Sequence, residues 1–281
     1  MIDLQNKTAV ITGGGSGLGR ELALSCARRG MNVALCDVDA AGMVETEQLI
    51  QTQTPDARCL TAAVDVSKLQ AVEAFADQVF AQFGSVYLVC NNAGVGVGGS
   101  LWDNTEHDWR WVLGVNLEGV AWGIKAFTPR MLAHGEGHIV NTASAAGFIH
   151  AGGLGIYNAT KAAVVAISET LAEDLRGAGG QLGVSVVCPF FFRTGIADAG
   201  RNRPTELSNT RTDPGTGHKE RDEAMRRAMD ESPVNASDVA ELTLEAVCQK
   251  RFYVFPHANI KQVINKRFEA VMAETNPPHI R

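Results

Sequence analysis

Long apolar stretches, long basic runs and closely spaced cysteines are all missing from this 281-residue chain. No apolar run approaches the roughly 20 residues that a transmembrane helix requires, so we expect no membrane partner. The formal net charge is −6 without a basic patch, which argues against a nucleic-acid partner. The six cysteines are scattered, and no His, Cys or carboxylate group has metal-ligand spacing. The first residues lead straight into a strand-like run, so we expect no targeting signal, no metal site and a reduced, cytoplasmic protein.

Aromatic residues are also scarce, at 6%, whereas 45% of the residues are hydrophobic, which predicts a mainly aliphatic core. Short apolar runs without polar alternation come between longer amphipathic stretches, as in strands that helices cover on both faces. Such alternation with short connections predicts an α/β fold, a Rossmann-type doubly wound parallel sheet flanked by helices. The length and the absence of a linker predict a single domain over residues 1–281.

The periodicity places the predicted elements along the whole chain. Strands are predicted at 7–12, 32–37, 57–64, 86–90, 138–142, 184–188 and 252–255. Helices are predicted at 18–29, 40–53, 68–83, 116–134, 157–176, 237–248 with Ser237 as N-cap, and 260–273. Residues 195–232 form a polar, proline-containing insertion that we call the lid, because a segment of this length is usually a functional cover. A solvated flap is the alternative interpretation of this segment.

A glycine-rich turn lies between the first predicted strand and the first predicted helix. Its sequence, TGGGSGLG, occupies residues 12–19, with Gly13, Ser16, Gly17, Leu18 and Gly19 as candidate cofactor ligands. Glycine allows the backbone to approach a pyrophosphate closely, and the helix N-terminus adds free N–H groups and a positive dipole end. An ordinary turn has a similar composition, but the strand–turn–helix context favours a dinucleotide site.

The second predicted strand ends at Asp37, 18 residues after Gly19. A carboxylate at this position can accept hydrogen bonds from the ribose hydroxyls of the adenosine, and it repels a 2′-phosphate. None of residues 36–40 is basic, so nothing nearby would neutralise that phosphate. The sequence therefore predicts NAD rather than NADP as cofactor, with a solvated acidic residue at a strand end as the alternative.

Two further strand ends carry candidate cofactor ligands. Asp65 and Val66 end the third strand, and Asn92, Ala93 and Gly94 follow the fourth. Ligands of open α/β sheets bind at the carboxyl ends of the strands, which favours a binding role for these residues. Taken alone, the Asn-Asn-Ala-Gly run would indicate only a turn.

The candidate reacting groups are Ser144, Tyr157 and Lys161. Tyr157 and Lys161 are four residues apart and lie on one face of a predicted helix. A free tyrosine is a poor base at neutral pH, but a neighbouring positive charge favours its phenolate form. Ser144 could then bind the substrate oxygen while Tyr157 exchanges its proton, with the hydride chemistry left to the cofactor. A surface pair is the simpler reading of Tyr157 and Lys161 alone.

Together these motifs resemble the short-chain dehydrogenase/reductase family, in its order and spacing over residues 7 to about 194. The resemblance implies Tyr157 as general acid/base and Lys161 as a ribose ligand that lowers the pKa of the tyrosine. It also implies Ser144 as stabiliser of the substrate oxygen and Asn116 as holder of a proton-relay water. Thr194 matches a threonine that contacts the nicotinamide carboxamide or the phosphates, and Pro189 begins the same segment. Family members are usually homotetramers or homodimers packed through the helices around Asn116 and Tyr157.

The chain departs from the family where Pro-Gly usually follows the sixth strand, because here Pro189 precedes three phenylalanines. Phe190 and Phe192, together with Ala146 and His150, are candidate substrate contacts by position. Packing against the lid explains the phenylalanines equally well, and a lone histidine is more often structural. The stretch after the lid resembles members that act on bulky secondary alcohols, including aryl ones.

We therefore predict an NAD-dependent dehydrogenase or reductase that acts on a small-molecule secondary alcohol or ketone. An NADP-dependent carbonyl reductase is one alternative, which Asp37 disfavours. A non-catalytic nucleotide-binding regulator is another, although such proteins typically lose the tyrosine or the lysine. A dehydratase or epimerase of nucleotide sugars would show a different glycine spacing and a larger C-terminal domain.

Overall fold

The computed structural model describes residues 2–179, 181–209 and 218–279, without the side chains of residues 218–222. A seven-stranded parallel sheet forms its centre, in the order β3-β2-β1-β4-β5-β6-β7. The strands are β1 (Thr8–Thr12), β2 (Asn32–Asp37), β3 (Cys59–Ala63), β4 (Leu88–Asn91), β5 (Gly137–Thr142), β6 (Leu182–Val187) and β7 (Tyr253–Val254). The strand order reverses between β1 and β4, and open α/β sheets bind their ligands outside such a switch point.

Helices cover both faces of the sheet. They are α1 (Gly17–Arg28), α2 (Ala40–Gln53), α3 (Leu69–Phe83), α4 (Glu106–Leu113), α5 (Gly119–His134), α6 (Gly155–Gly177), α7 (His218–Asp230), α8 (Ala236–Gln249) and α9 (Ile260–Met272). In the fully buried β1, Ala9 and Ile11 join the core beneath α1 and α8, whereas Val10 joins the core beneath α3 and α5. This two-sided burial is the physical reason for apolar runs without alternation, and it confirms the predicted doubly wound sheet.

Most predicted elements lie within two residues of their observed bounds, and β2 and α2 agree to the residue. The prediction of one helix over 116–134 is wrong at its start. Helix α4 begins at Glu106 and passes through a π-helical turn, Gly114–Glu118, directly into α5. Thr105 caps α4 in a reciprocal capping box with Asp108, which stabilises a helix start that apolar periodicity does not reveal.

Two further expectations about helices are corrected. The N-cap of α8 is Asn235, whose side chain accepts the N–H of Asp238, and Ser237 only donates its hydroxyl to Asn235 at 2.6 Å. The lid is not structureless where it is described. It contains 3₁₀ turns at Gly195–Asn202 and Thr205–Leu207 and the helix α7, while residues 210–217, with Pro214, lie outside the described residues.

Candidate active site

A cavity of about 1120 Å³ opens at the carboxyl ends of the strands, beside the switch point. Typical small-molecule pockets have about 300–1,000 Å³, so this one has room for more than a single small ligand. The predicted site residues that line it are Gly13, Ser16, Gly17, Leu18, Asp37, Asp65, Val66, Asn92, Ala93, Gly94, Ser144, Ala146, Tyr157, Lys161, Pro189, Phe190, Phe192 and Thr194. Gly19, Asn116 and His150 do not line it.

Two glycines of the turn after β1 are packed too closely to carry a side chain. Gly13 has φ +69°, and a Cβ there would lie 2.8 Å from the Cα of Ala93. A Cβ on Gly19 would lie 2.0 Å from the carbonyl oxygen of Gly13, so Gly19 acts in packing the turn rather than by facing the cavity. The turn therefore leaves its backbone and the N-terminus of α1 open to the cavity, as binding of a pyrophosphate requires.

Thr12 and Asn92 fasten the glycine turn to the end of β4. The Thr12 hydroxyl accepts the backbone N–H groups of Asn92 and Ala93 at 2.9 and 3.0 Å. The amide of Asn92 donates to the Thr12 carbonyl at 3.0 Å. These bonds hold the ends of β1 and β4 at a fixed separation, so the glycine turn and the start of the segment after β4 form one unit at the cavity wall.

Asp37 joins the end of β2 to the same turn. Its two carboxylate oxygens accept the backbone N–H of Gly15 at 2.9 Å and that of Asp39 at 3.0 Å. A carboxylate has about four acceptor positions, so both oxygens can still accept a hydroxyl group. The side chain thus positions the glycine turn and keeps a negative charge at the cavity wall.

Asp65 holds the chain that leaves β3. Its Oδ1 accepts the backbone N–H and the hydroxyl of Ser67 at 3.0 and 2.7 Å. Val66 is buried beside it and lines the cavity. Asp65 and Val66 therefore place one polar and one apolar side chain next to each other at the cavity wall.

Ser144, Tyr157 and Lys161 meet at the other end of the cavity, where β5 ends and α6 begins. Ser144 caps a short 3₁₀ turn, and its hydroxyl accepts the N–H of Ala146 at 3.1 Å and donates to the Pro189 carbonyl at 3.3 Å. The latter bond is long and can be exchanged for one to a substrate oxygen. Lys161 is buried, donates to the Thr142 carbonyl at 2.8 Å, and places its Nζ 5.6 Å from the centre of the Tyr157 ring.

Burial shifts the pKa values of Tyr157 and Lys161 in opposite directions, and in each case it favours the neutral form of the side chain. It raises the pKa of Tyr157 above its ordinary value, while a hydrogen bond with Ser144 acts in the opposite direction. Burial lowers the pKa of Lys161 to about 8, so the ammonium is still the main form at neutral pH. The hydrogen bond with Ser144 opposes the effect of burial on Tyr157, and a positive charge on the neighbouring Lys161 would favour the phenolate in the same direction.

Asn116 lies in the π-helical turn and is fully buried. Its Oδ1 accepts the backbone N–H of Val95 at 2.8 Å, and its Nδ2 donates to the Val95 carbonyl at 2.9 Å and to the Thr160 hydroxyl at 3.3 Å. The side chain therefore fixes the strand exit that carries Val95 along the cavity. The role of holding a proton-relay water, which the resemblance implies, stays a prediction.

His257 fixes the backbone of the phenylalanine segment after β6. The N–H of Phe190 donates to its Nδ1 at 3.1 Å, and its Nε2 lies 3.0 Å from the Phe191 carbonyl. These two contacts require a neutral ring with the proton on Nε2, and burial lowers the pKa of His257 in agreement. The histidine thus supports the path that replaces Pro-Gly, and the sequence offered only a lone histidine beside a proline as a signal.

The described part of the lid has an apolar inner face. Its cavity-lining side chains include Ile196, Ala199, Leu207, Met225 and Met229. The charges of Asp108 and Arg203 neutralise each other in a bridge of 2.7 Å between α4 and the lid, with both side chains largely buried. The cavity side of the lid is therefore mostly aliphatic, although Arg201, Arg203 and Glu206 also line it.

His150 is exposed and does not reach the cavity. Burial, then the charge of Arg267, lowers its pKa, while a hydrogen bond to the Gly147 backbone opposes this. The structure therefore does not bring His150 to the other candidate substrate contacts.

Among the described residues, no group of three or more His, Cys, Asp or Glu side chains could hold a metal ion. Across that same part of the chain, every helix is too short or too polar to cross a bilayer.

Known proteins resemble this chain over its whole length. The model of the family described as short chain dehydrogenase matches residues 7–204. A short chain dehydrogenase/reductase from Burkholderia phymatum, solved in complex with NAD, is 44% identical, with a TM-score of 0.97 and coverage of 100% of this chain and 99% of that chain. The 1-deoxy-11-beta-hydroxypentalenate dehydrogenase of Streptomyces exfoliatus is 33% identical over 98% of this chain and 92% of its own. The C alpha-dehydrogenase of Sphingobium sp. is 31% identical over 99% and 89%.

Proposed function

The chain belongs to the short-chain dehydrogenase family, and we propose that it transfers a hydride between NAD(H) and a secondary alcohol or its ketone. One observation carries this proposal: the glycine turn lines the same cavity as Ser144, Tyr157 and Lys161, of which the lysine is buried and the other two are half-buried. The two relatives named as dehydrogenases support the reaction class.

The residues of the cavity fit a nicotinamide dinucleotide. Gly13 and Gly19 have no space for a Cβ, so the turn is tight, and the N-terminus of α1 faces the cavity, as a pyrophosphate requires. When bound, the cofactor supplies the hydride acceptor or donor. Lys161 and Thr194, which lies beside Gly17, would hold its ribose and its phosphates or carboxamide.

In the oxidative direction, Tyr157 removes the proton of the substrate hydroxyl, and in the reductive direction it returns that proton to the carbonyl oxygen. Ser144 donates a hydrogen bond to the same oxygen in place of its long bond to Pro189. The charge of Lys161 stabilises the phenolate that exists between the two proton transfers.

We assign the cofactor as NAD because of the charge at the end of β2. Asp37 keeps its carboxylate at the cavity wall and uses it to hold the Gly15 backbone. A 2′-phosphate would meet this carboxylate at close range without a neighbouring cation on residues 36–40. The relative from Burkholderia phymatum, which was solved with NAD, supports this assignment.

The substrate is proposed to be bulky and apolar, and residues 195–232 are proposed to act as its cover within a single domain. Ala146, Phe190 and Phe192 form one wall of the cavity, and the aliphatic inner face of the lid forms the other. Gly96 lies beside Tyr157, where a Cβ would make ordinary contacts of 3.8 Å with Ile196 and 4.0 Å with the tyrosine ring, so the glycine keeps this wall free of a side chain. A large hydrophobic substituent on the reacting carbon of the substrate would therefore pack against these apolar walls, and its binding would not depend on a charged side chain.

The test is a panel of secondary alcohols, from small aliphatic to bulky aryl, offered with NAD⁺ and separately with NADP⁺. We expect reduced-nicotinamide absorbance to rise with NAD⁺ and the catalytic efficiency to increase with substrate size. Preference for NADP⁺ would support the carbonyl reductase alternative. NAD binding without turnover on any substrate would favour the non-catalytic regulator. A cytoplasmic location and a homodimer or homotetramer packed through α5 and α6 are further parts of the proposal.

A further inference from the structure

Few cationic side chains line the cavity, and they differ in their interaction partners. Among the described residues they are Lys68, Arg110, Lys161, Arg201 and Arg203. Lys161 belongs to the reacting group, Arg110 pairs with Glu106, and Arg203 pairs with Asp108. Lys68 lies at the start of α3, toward the β3 edge of the sheet. Arg201 is the cation beside the N-terminus of α1.

Arg201 extends from the lid to the glycine turn. Its Nη1 donates to the carbonyl oxygens of Gly195 and Asp198 at 2.8 and 3.0 Å, which fixes the guanidinium against its own turn. Its Nη2 lies 3.5 Å from the hydroxyl oxygen of Ser16, the N-cap residue of α1. This separation is too long for a strong hydrogen bond, but one anionic oxygen could be bound by both groups.

Arg201 forms no ion pair with the nearby carboxylate of Asp198, although the two charges interact at longer range. Arg226 holds both oxygens of that carboxylate, with Nη2 at 2.7 Å and Nη1 at 3.2 Å. Arg201 contacts only the backbone of Asp198. The positive charge at the end of its side chain therefore remains directed toward α1.

The first turn of α1 is itself arranged for an anion. The side chain of Ser16 forms no cap hydrogen bond with its own helix, and no acidic residue lies in the first turn. Gly17 has φ +53°, and a Cβ there would be 3.4 Å from the Cβ of Thr194. Ser16, Thr194 and Arg201 thus face the same volume as the free N–H groups of the helix.

We propose that Arg201 is a ligand of the pyrophosphate of the dinucleotide. The N–H groups of α1 bind the phosphate oxygens on one side, and Arg201 of the lid binds them on the other. This inference rests on the proposed function. Two negative charges between a guanidinium, two hydroxyls and a helix N-terminus form charge-assisted hydrogen bonds, which are stronger than neutral ones. The lid therefore contributes to binding of the cofactor as well as of the substrate.

The test measures binding rather than activity, on the full chain with Arg201→Met, Arg201→Lys and the matched control Arg227→Met. Arg227 is an exposed arginine of α7 that does not line the cavity, so its replacement changes the net charge equally. Calorimetric titration with NAD, ADP-ribose and adenosine separates the phosphate contact from the rest. We expect Arg201→Met to lower the affinity for NAD and for ADP-ribose about five- to tenfold. This factor is kept small because the arginine side chain is exposed to solvent, which screens its charge.

Adenosine, which lacks the pyrophosphate, should bind all four proteins equally. Arg201→Lys should recover part of the loss, and Arg227→Met should bind like the wild type. Unchanged NAD affinity in Arg201→Met would overturn the inference, as would an equal loss for adenosine or for the control. Failure of the wild-type protein to bind NAD would instead contradict the proposed function, so the two failures are distinguishable.

Discussion

Replacement of Lys161 by methionine tests how a buried tyrosine becomes a useful base. The Nζ of Lys161 lies 5.6 Å from the centre of the Tyr157 ring. If this distance is taken for the separation of the two charges, an ammonium and a phenolate attract each other by about 3 kcal/mol, or about two pKa units, at an effective dielectric constant of about 20. The substitution should therefore raise the pKa of Tyr157, which burial already raises, by about two further units.

The assay is the pH dependence of kcat/KM for alcohol oxidation at saturating NAD⁺. The rising limb on the acid side of the profile, which reports deprotonation of the base, should move up by about two pH units, with about a hundredfold loss at neutral pH. Ser144→Ala is the matched comparison, because it removes a neutral hydrogen bond worth about 1 kcal/mol and should move the limb less. A Lys161→Met profile with the wild-type pKa and a uniformly lower rate would refute the electrostatic role and leave only cofactor binding.

Three other perturbations address the cofactor, the substrate and stability. Asp37→Asn should narrow the ratio of kcat/KM between NAD and NADP about tenfold, since the charge that opposes a 2′-phosphate is gone; an unchanged ratio would contradict the cofactor assignment. Gly96→Val should raise KM for bulky alcohols more than for small ones at constant NAD affinity, because the new side chain fills the space between Ile196 and Tyr157; equal effects would argue against a large substrate. Burial lowers the pKa of His138 to about 4, so the neutral ring stabilises the fold above about pH 6.5, and this stabilisation is lost as the pH falls toward 4. The free energy of unfolding should decrease by about 2 kcal/mol from pH 7 to pH 5, and His138→Asn should reduce that dependence; the same slope in both proteins would exclude this histidine as its source.

The sheet and its covering helices were predictable because burial on both faces leaves a direct mark on the sequence. The run at 32–37 and the helix at 40–53 agree with β2 and α2 to the residue. The first six predicted strands end beside the cavity, so the residues that follow them were also predictable as neighbours. The glycine turn was predictable for a steric reason, since the positions that need glycine are those where a Cβ would clash.

The elements that escaped prediction have mostly polar sequences. Helix α4 reads EHDWRWVL, and its clearest signal was the Thr105–Asp108 capping box rather than apolar periodicity. In α7, Ala224, Met225, Ala228 and Met229 lie on one face, but charged residues around them conceal the pattern. A search for single apolar faces inside the polar segment would have found this helix.

Contacts between distant residues could not be predicted from local sequence. Asn116 holds the backbone of Val95, 21 residues earlier, and His257 holds the backbone of Phe190, 67 residues earlier. In each case the partner is a main-chain group, which carries no residue-type signal. These two side chains shape the cavity wall, and only the folded chain reveals their function.

The measurement that tests the central claim most directly compares the wild-type protein with Tyr157→Phe and Tyr87→Phe on the best secondary alcohol with NAD⁺. Tyr87 is a buried tyrosine below Lys7, away from the cavity, and provides the matched control. We predict turnover by the wild type and by Tyr87→Phe. The turnover rate of Tyr157→Phe should be at least about a hundredfold lower than that of the wild type, with unchanged NAD affinity, because this variant lacks the acid/base group. Full activity in Tyr157→Phe would contradict the account.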